Sequence, residues 1–128
     1  MWKGRFEVVS EKPLIIVDGA HNKEGMDALV ASAKVLPNLK IVFTALKDKP
    51  HHEMLEKLCS ISNDITVCEF AFPRADSAQN IAEGFDVKVI PDYREAISKA
   101  IQTEGPTLIC GSLYFISLAR EYIKTALK

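Results

Sequence analysis

The chain has 128 residues, 48% of them hydrophobic and 26% charged, with a formal net charge of −1 at pH 7. This is the profile of one globular domain large enough to bury a substantial core, and its charge balance offers no electrostatic footprint for nucleic acid or a membrane surface. No apolar stretch approaches the roughly 20 residues of a membrane span, and the opening MWKGRFE lacks the apolar core of a signal peptide.

Short apolar runs alternate with stretches of helical period. The runs are Phe6–Val9, Leu14–Val17, Lys40–Thr44, Ile65–Cys68, Val87–Ile90 and Thr107–Cys110. Glu24–Leu36 places Met26, Leu29, Val30 and Ala33 on one face, with Asn22 to cap the helix and Pro37 to stop any continuation beyond Leu36. A second helix begins near Pro50 and carries Met54, Leu55 and Leu58. Ser77–Gly84 reads as a short helix. Asp92 caps a helix with Tyr93, Ala96, Ile97, Ala100 and Ile101 on one face, and a last helix begins near Ser112. Apolar strands alternating with helices predict an α/β sandwich of three layers, a parallel sheet covered on both faces. Phe6–Val9 is joined to Leu14–Val17 by too few residues for a parallel crossover, so the expectation there is an antiparallel pair. Cys59, Cys68 and Cys110 show no CxxC spacing, and Cys68 and Cys110 sit in apolar runs, which predicts reduced thiols and suits a cytosolic setting.

In a parallel sheet, ligands bind outside the carboxyl ends of the strands. Three polar loops leave those ends: DGAHN (18–22), ALKDK (45–49) and the Gly-Ser at 111–112. Asp18 and His21 are an acid and an imidazole where a connecting loop needs only a turn and a cap. Each could still be no more than part of a strand-to-helix turn, and Ser112 no more than a helix cap. No phosphate loop is present, since neither Lys nor Ser/Thr follows Gly25. His51-His52-Glu53 has a metal-like composition, but adjacent histidines diverge by about 100° on a helix; the expectation is a solvated helix start.

Taken together, GRFEVV (4–9), DGAHN (18–22), FTALKDK (43–49) and GSLYF (111–115) resemble the carboxy-terminal domain of the folylpolyglutamate synthase/dihydrofolate synthase family, cytoplasmic amide-forming ligases of the muramyl-ligase type. The resemblance runs from Trp2 to the final helix. It departs at Lys23, where the family usually has Pro, and at Pro50, where it usually has an acid.

The resemblance implies a Rossmann-like, mostly parallel six-stranded sheet with one antiparallel strand. It also implies ATP-dependent joining of L-glutamate to a dihydropteroate or folate carboxylate through an acyl phosphate, with Mg²⁺ neutralising phosphoryl charge. The phosphate loop and most metal ligands would lie on an amino-terminal domain, and residues 1–128 would be the single lid domain of a longer enzyme, inactive alone. On that basis Arg5 and Asp18 would contact ATP. His21 and Ser112 would bind glutamate, and Lys49 would be a further carboxylate contact. The competing readings are a non-catalytic flavodoxin-like binding module and the lid of a ligase acting on peptidoglycan precursors.

Overall fold

The computed structural model describes residues 4–128, so Trp2 lies outside the described residues. Six strands form one sheet in the order β1-β2-β6-β3-β4-β5. They are β1 (Glu7–Glu11), β2 (Leu14–Asp18), β3 (Lys40–Phe43), β4 (Asp64–Glu69), β5 (Lys88–Asp92) and β6 (Thr107–Cys110). The helices are α1 (Lys23–Ala33), α2 (His51–Cys59), α3 (Ala78–Ala82), α4 (Tyr93–Ile101) and α5 (Leu113–Ala126). β1 pairs antiparallel with β2, with a register shift between Val8 and Ser10, and the other neighbours are parallel.

Alternation along each inner strand divides the core in two. Ile16, Ile41, Phe43, Ile65, Val67 and Leu108 pack with Met26, Leu29, Met54, Leu55, Leu58 and Ile81 of α1–α3. Ile15, Val17, Val42, Cys68 and Ile109 face the other way, onto Ile97, Phe115, Ile116, Ala119 and Ile123 of α4 and α5. Both faces are covered, which is why these strands read as continuous apolar runs.

Element ends differ from the sequence expectations in instructive ways. α1 stops at Ala33, short of Leu36, because the Leu36 N–H turns back to the Ala33 carbonyl ahead of Pro37. β5 lies one to two residues later than the Val87–Ile90 run and includes Pro91, tolerated because it is an edge strand. Its last residue, Asp92, doubles as the cap of α4, accepting from the Arg94 N–H. Asn22 and Ser77 likewise cap α1 and α3.

One consequence of the strand order positions the site. The helix leaving β6 lies on one face of the sheet, whereas the helices leaving its neighbours β2 and β3 lie on the other. Chain directions diverge at β6, and that divergence opens a crevice at the carboxyl edge.

Candidate functional site

The exit of β2 is built around Asp18. Its carboxylate is buried and accepts the Phe6 N–H at Oδ2 (2.9 Å) and the Ala20 N–H at Oδ1 (2.8 Å), while the Gly19 N–H donates to the Gly4 carbonyl at 2.7 Å. Asp18 therefore fastens the segment before β1 to the DGAHN loop. That segment is sharply bent: Gly4 and Phe6 have φ of 82° and 46°, and a bulky side chain in the left-handed region stores strain. Arg5 sits exposed between them. Burial raises the Asp18 carboxyl above its ordinary value, against the opposing pull of the Ala20 and Phe6 amides and of Arg5.

Ser112, 2% exposed, caps α5 by accepting from the Tyr114 and Phe115 amides at 3.1 and 3.4 Å. Both bonds use its oxygen, so the hydroxyl hydrogen is uncommitted to them. The preceding residue has to be glycine. Gly111 has φ of 121°, and a Cβ there would lie 1.7 Å from the Thr44 carbonyl oxygen, so the turns after β6 and β3 touch backbone to backbone. Gly19 is also tightly approached, with the Leu113 side chain 2.3 Å from where a Cβ would be. His21 Nδ1 lies 3.1 Å from the Gly19 carbonyl, which makes it the donor and leaves Nε2 for other partners.

The third and fourth contributions come from the turns after β3 and β4. These are stitched together by the Leu46–Ala75 bridge, by the Lys47 N–H to Arg74 carbonyl bond (2.8 Å) and by the Asp76 N–H to Ala45 carbonyl bond (3.1 Å). They complete a cleft of about 320 Å³ lined by His21, Lys49, Arg74, Ser112, Leu113 and Tyr114. A second cleft of about 310 Å³, lined by Arg5, Gly19 and Asn22, shares His21 and Leu113 with the first. The structure thus brings His21, Lys49 and Ser112 together, sets Arg5 and Asp18 next to them, and places all five at one edge. Loops converging from four strands position cationic groups and a helix N-terminus around a small space, an arrangement suited to a carboxylate ligand.

Arg74 and Tyr114 were missed. Phe72 and Tyr114 stack with centroids 4.6 Å apart, and the Arg74 guanidinium lies 5.7 and 5.8 Å from their centres. Its ion pair with Asp48 is long (3.5 Å) and half-exposed on both sides, hence weak. The signal for Arg74 was available, because its loop leaves the carboxyl end of β4 by the same rule that selected the other three.

His51 corrects a further expectation. The segment does start α2, and His52 and Glu53 are exposed as expected, but His51 is not solvated: its Nε2 lies 2.9 Å from Asp76 Oδ2 with only 14% of the side chain exposed. No group of three or more His, Cys, Asp or Glu among the described residues is arranged to hold a metal. All three thiols are free, Cys59 exposed and the others buried. A larger cavity of about 750 Å³ lies at the opposite edge, where the Lys40 ammonium is spent on the Ala100 and Thr103 carbonyls at the end of α4. No helix of the described residues is long and apolar enough to cross a membrane.

Residues 4–113 match the family model described as Mur ligase, glutamate ligase domain. The dihydrofolate synthase/folylpolyglutamate synthase of Bacillus subtilis is 36% identical over 132 aligned positions, covering 96% of this chain and 31% of that protein. Escherichia coli FolC in complex with DHPP and ADP superposes with a TM-score of 0.89 at 28% identity, over 100% of this chain and 33% of that one. A bifunctional folylpolyglutamate synthase/dihydrofolate synthase with Mn, AMPPNP and L-glutamate bound gives a TM-score of 0.78 at 32% identity, over 88% of this chain and 29% of that one. The chain spans about a third of the length of the relatives it matches. It belongs to the Mur ligase glutamate ligase domain family, and its relatives within that family are dihydrofolate and folylpolyglutamate synthases.

Proposed function

We propose that this chain is the lid domain of an ATP-dependent ligase that adds L-glutamate to dihydropteroate or folate carboxylates in the cytoplasm, where both ATP and glutamate are plentiful. The observation that carries the reading is the cleft in which His21, Lys49, Arg74 and Ser112 converge beside Arg5, whose segment Asp18 holds. Ser112 donates its hydroxyl hydrogen to one glutamate carboxylate, with the N-terminus of α5 behind it. Lys49 and Arg74 supply positive charge for the two carboxylates, and His21 offers Nε2 toward the amine. Arg5 faces the nucleotide phosphates, and Asp18, already holding two backbone amides, fixes the segment that presents Arg5.

ATP supplies the phosphoryl group that activates the acceptor carboxylate. On the family resemblance, the amino-terminal domain of the same enzyme holds most of the Mg²⁺ ligands and most of the acceptor site. The test is incorporation of labelled glutamate by the complete ligase, with dihydropteroate, tetrahydrofolate and a UDP-muramoyl precursor offered in parallel. Incorporation into a pteroate acceptor is expected, and none by residues 1–128 alone. Incorporation into the muramoyl precursor only, or strong ligation by the isolated chain, would overturn the proposal.

A further inference from the structure

Next to the cleft lies a buried acid and imidazole that the scheme above leaves unused. The Asp76 side chain is 8% exposed, 2.9 Å from His51 Nε2, and it also accepts the Ser77 N–H at 2.8 Å and faces Asn80 Nδ2 at 3.1 Å from both oxygens. Burial favours its neutral form, but Asn80, Ser77 and His51 together hold the carboxyl below its ordinary value. His51 Nδ1 is buried with no hydrogen-bond partner among the described residues. Stability is a poor reason for such an arrangement. A buried polar pair roughly breaks even against apolar side chains of similar size, and an orphaned ring nitrogen adds a cost.

Position is a better reason. His51 follows Lys49 by two residues, and its N–H donates to the Lys49 carbonyl at 2.7 Å. Asp76 follows Arg74 by two residues, on the turn whose backbone bonds run to Ala45 and Lys47. The side-chain pair therefore closes the two turns that carry the permanent cations of the cleft. We infer that His51 and Asp76 are positioning residues that set the separation of Lys49 and Arg74 for the carboxylates of the incoming amino acid. This rests on the amino-acid site proposed above. Neither residue touches substrate; each acts through the turn it holds, and a shift of an ångström at an oriented ionic contact is costly.

Two measurements decide it. In the complete ligase, His51→Ala should raise the KM for glutamate about tenfold with the KM for ATP unchanged. His51→Gln, which keeps a donor near the Nε2 position, should recover most of the loss. In a Lys49→Ala background, His51→Ala should add little, because its effect runs through the turn that bears Lys49. A glutamate KM unchanged by His51→Ala, or a full tenfold effect in the Lys49→Ala background, refutes the inference. Amide hydrogen exchange reads the positioning without any ligation: His51→Ala should speed exchange at Lys47, Lys49 and Asp76 about tenfold or more, while β3, β4 and β6 amides hold. Unchanged exchange at those three amides refutes the inference even if the ligase reading stands, whereas failure of the wild-type enzyme to incorporate glutamate counts against the ligase reading alone.

Discussion

Replacing Ser112 separates two duties that one hydroxyl performs. As a cap, its oxygen satisfies the Tyr114 and Phe115 amides, and loss of such a cap to Ala costs about 1 kcal/mol. Unfolding entropy of about 2.1 cal/mol/K per residue gives roughly 270 cal/mol/K for a domain of this size, so Ser112→Ala should melt about 4 °C lower. Glycine is nearly as good a cap, losing only a few tenths of a kcal/mol. The Ser112 backbone is extended (φ −163°), so glycine fits without strain. As a ligand, the hydroxyl donates to a charged carboxylate, a contact of about 1.5–3 kcal/mol. Ser112→Ala and Ser112→Gly should therefore lose the same factor, roughly 10- to 150-fold, in kcat/KM for glutamate, while only the alanine variant melts several degrees lower. The assay is glutamate-dependent phosphate release by the complete ligase at saturating ATP, alongside a thermal melt. If both variants keep a normal glutamate dependence, Ser112 is a cap and the amino acid binds elsewhere.

Gly111→Ala should destabilise by about 3 kcal/mol or more, because the added methyl meets the Thr44 carbonyl oxygen and φ of 121° disfavours any side chain; a urea midpoint close to wild type would show that these turns do not abut as described. Asp18 and Asp76 should titrate on opposite sides of 3.8 in carboxyl ¹³C NMR, Asp18 above and Asp76 below. Linkage then gives opposite signs: stability tied to the protonated Asp18 is present below 3.8 and lost as pH rises through its raised value, whereas stability tied to the ionised Asp76 is present above 3.8 and lost as pH falls through its depressed value. Titration of both on the same side would refute that pairing of environments.

Much of the fold was legible because its rules are local. Ile15 and Ile16 point to opposite faces and both are buried, so the strand shows as an unbroken apolar run, and Asn22, Asp92 and Ser112 announce helix starts in their own side chains. The antiparallel β1 followed from a connection too short to cross over. Strand order was not legible: nothing in Thr107–Cys110 distinguishes a central strand from its equally apolar neighbours. The candidate site was legible in position where a polar residue interrupts a strand-to-helix turn, as at Asp18 and His21. The carboxyl-edge rule points to the loop of Arg74, but its aromatic setting was not legible, because Tyr114 comes from forty residues on to stack against Phe72. His51 hid for the same reason, since its partner Asp76 comes from a different loop.

The place of β6 has a bearing on how the chain is made. β2 and β3 never pair with each other; each pairs with β6, the last of the six strands to be synthesised. Until Cys110 has left the ribosome, nothing can join β1–β2 to β3–β4–β5, and the facing edges of β2 and β3 stay open. A message truncated just before the codon for Thr107 would thus yield a product in which the β2 and β3 edges stay exposed rather than a slightly shortened domain, a species open to pairing with other chains and to degradation.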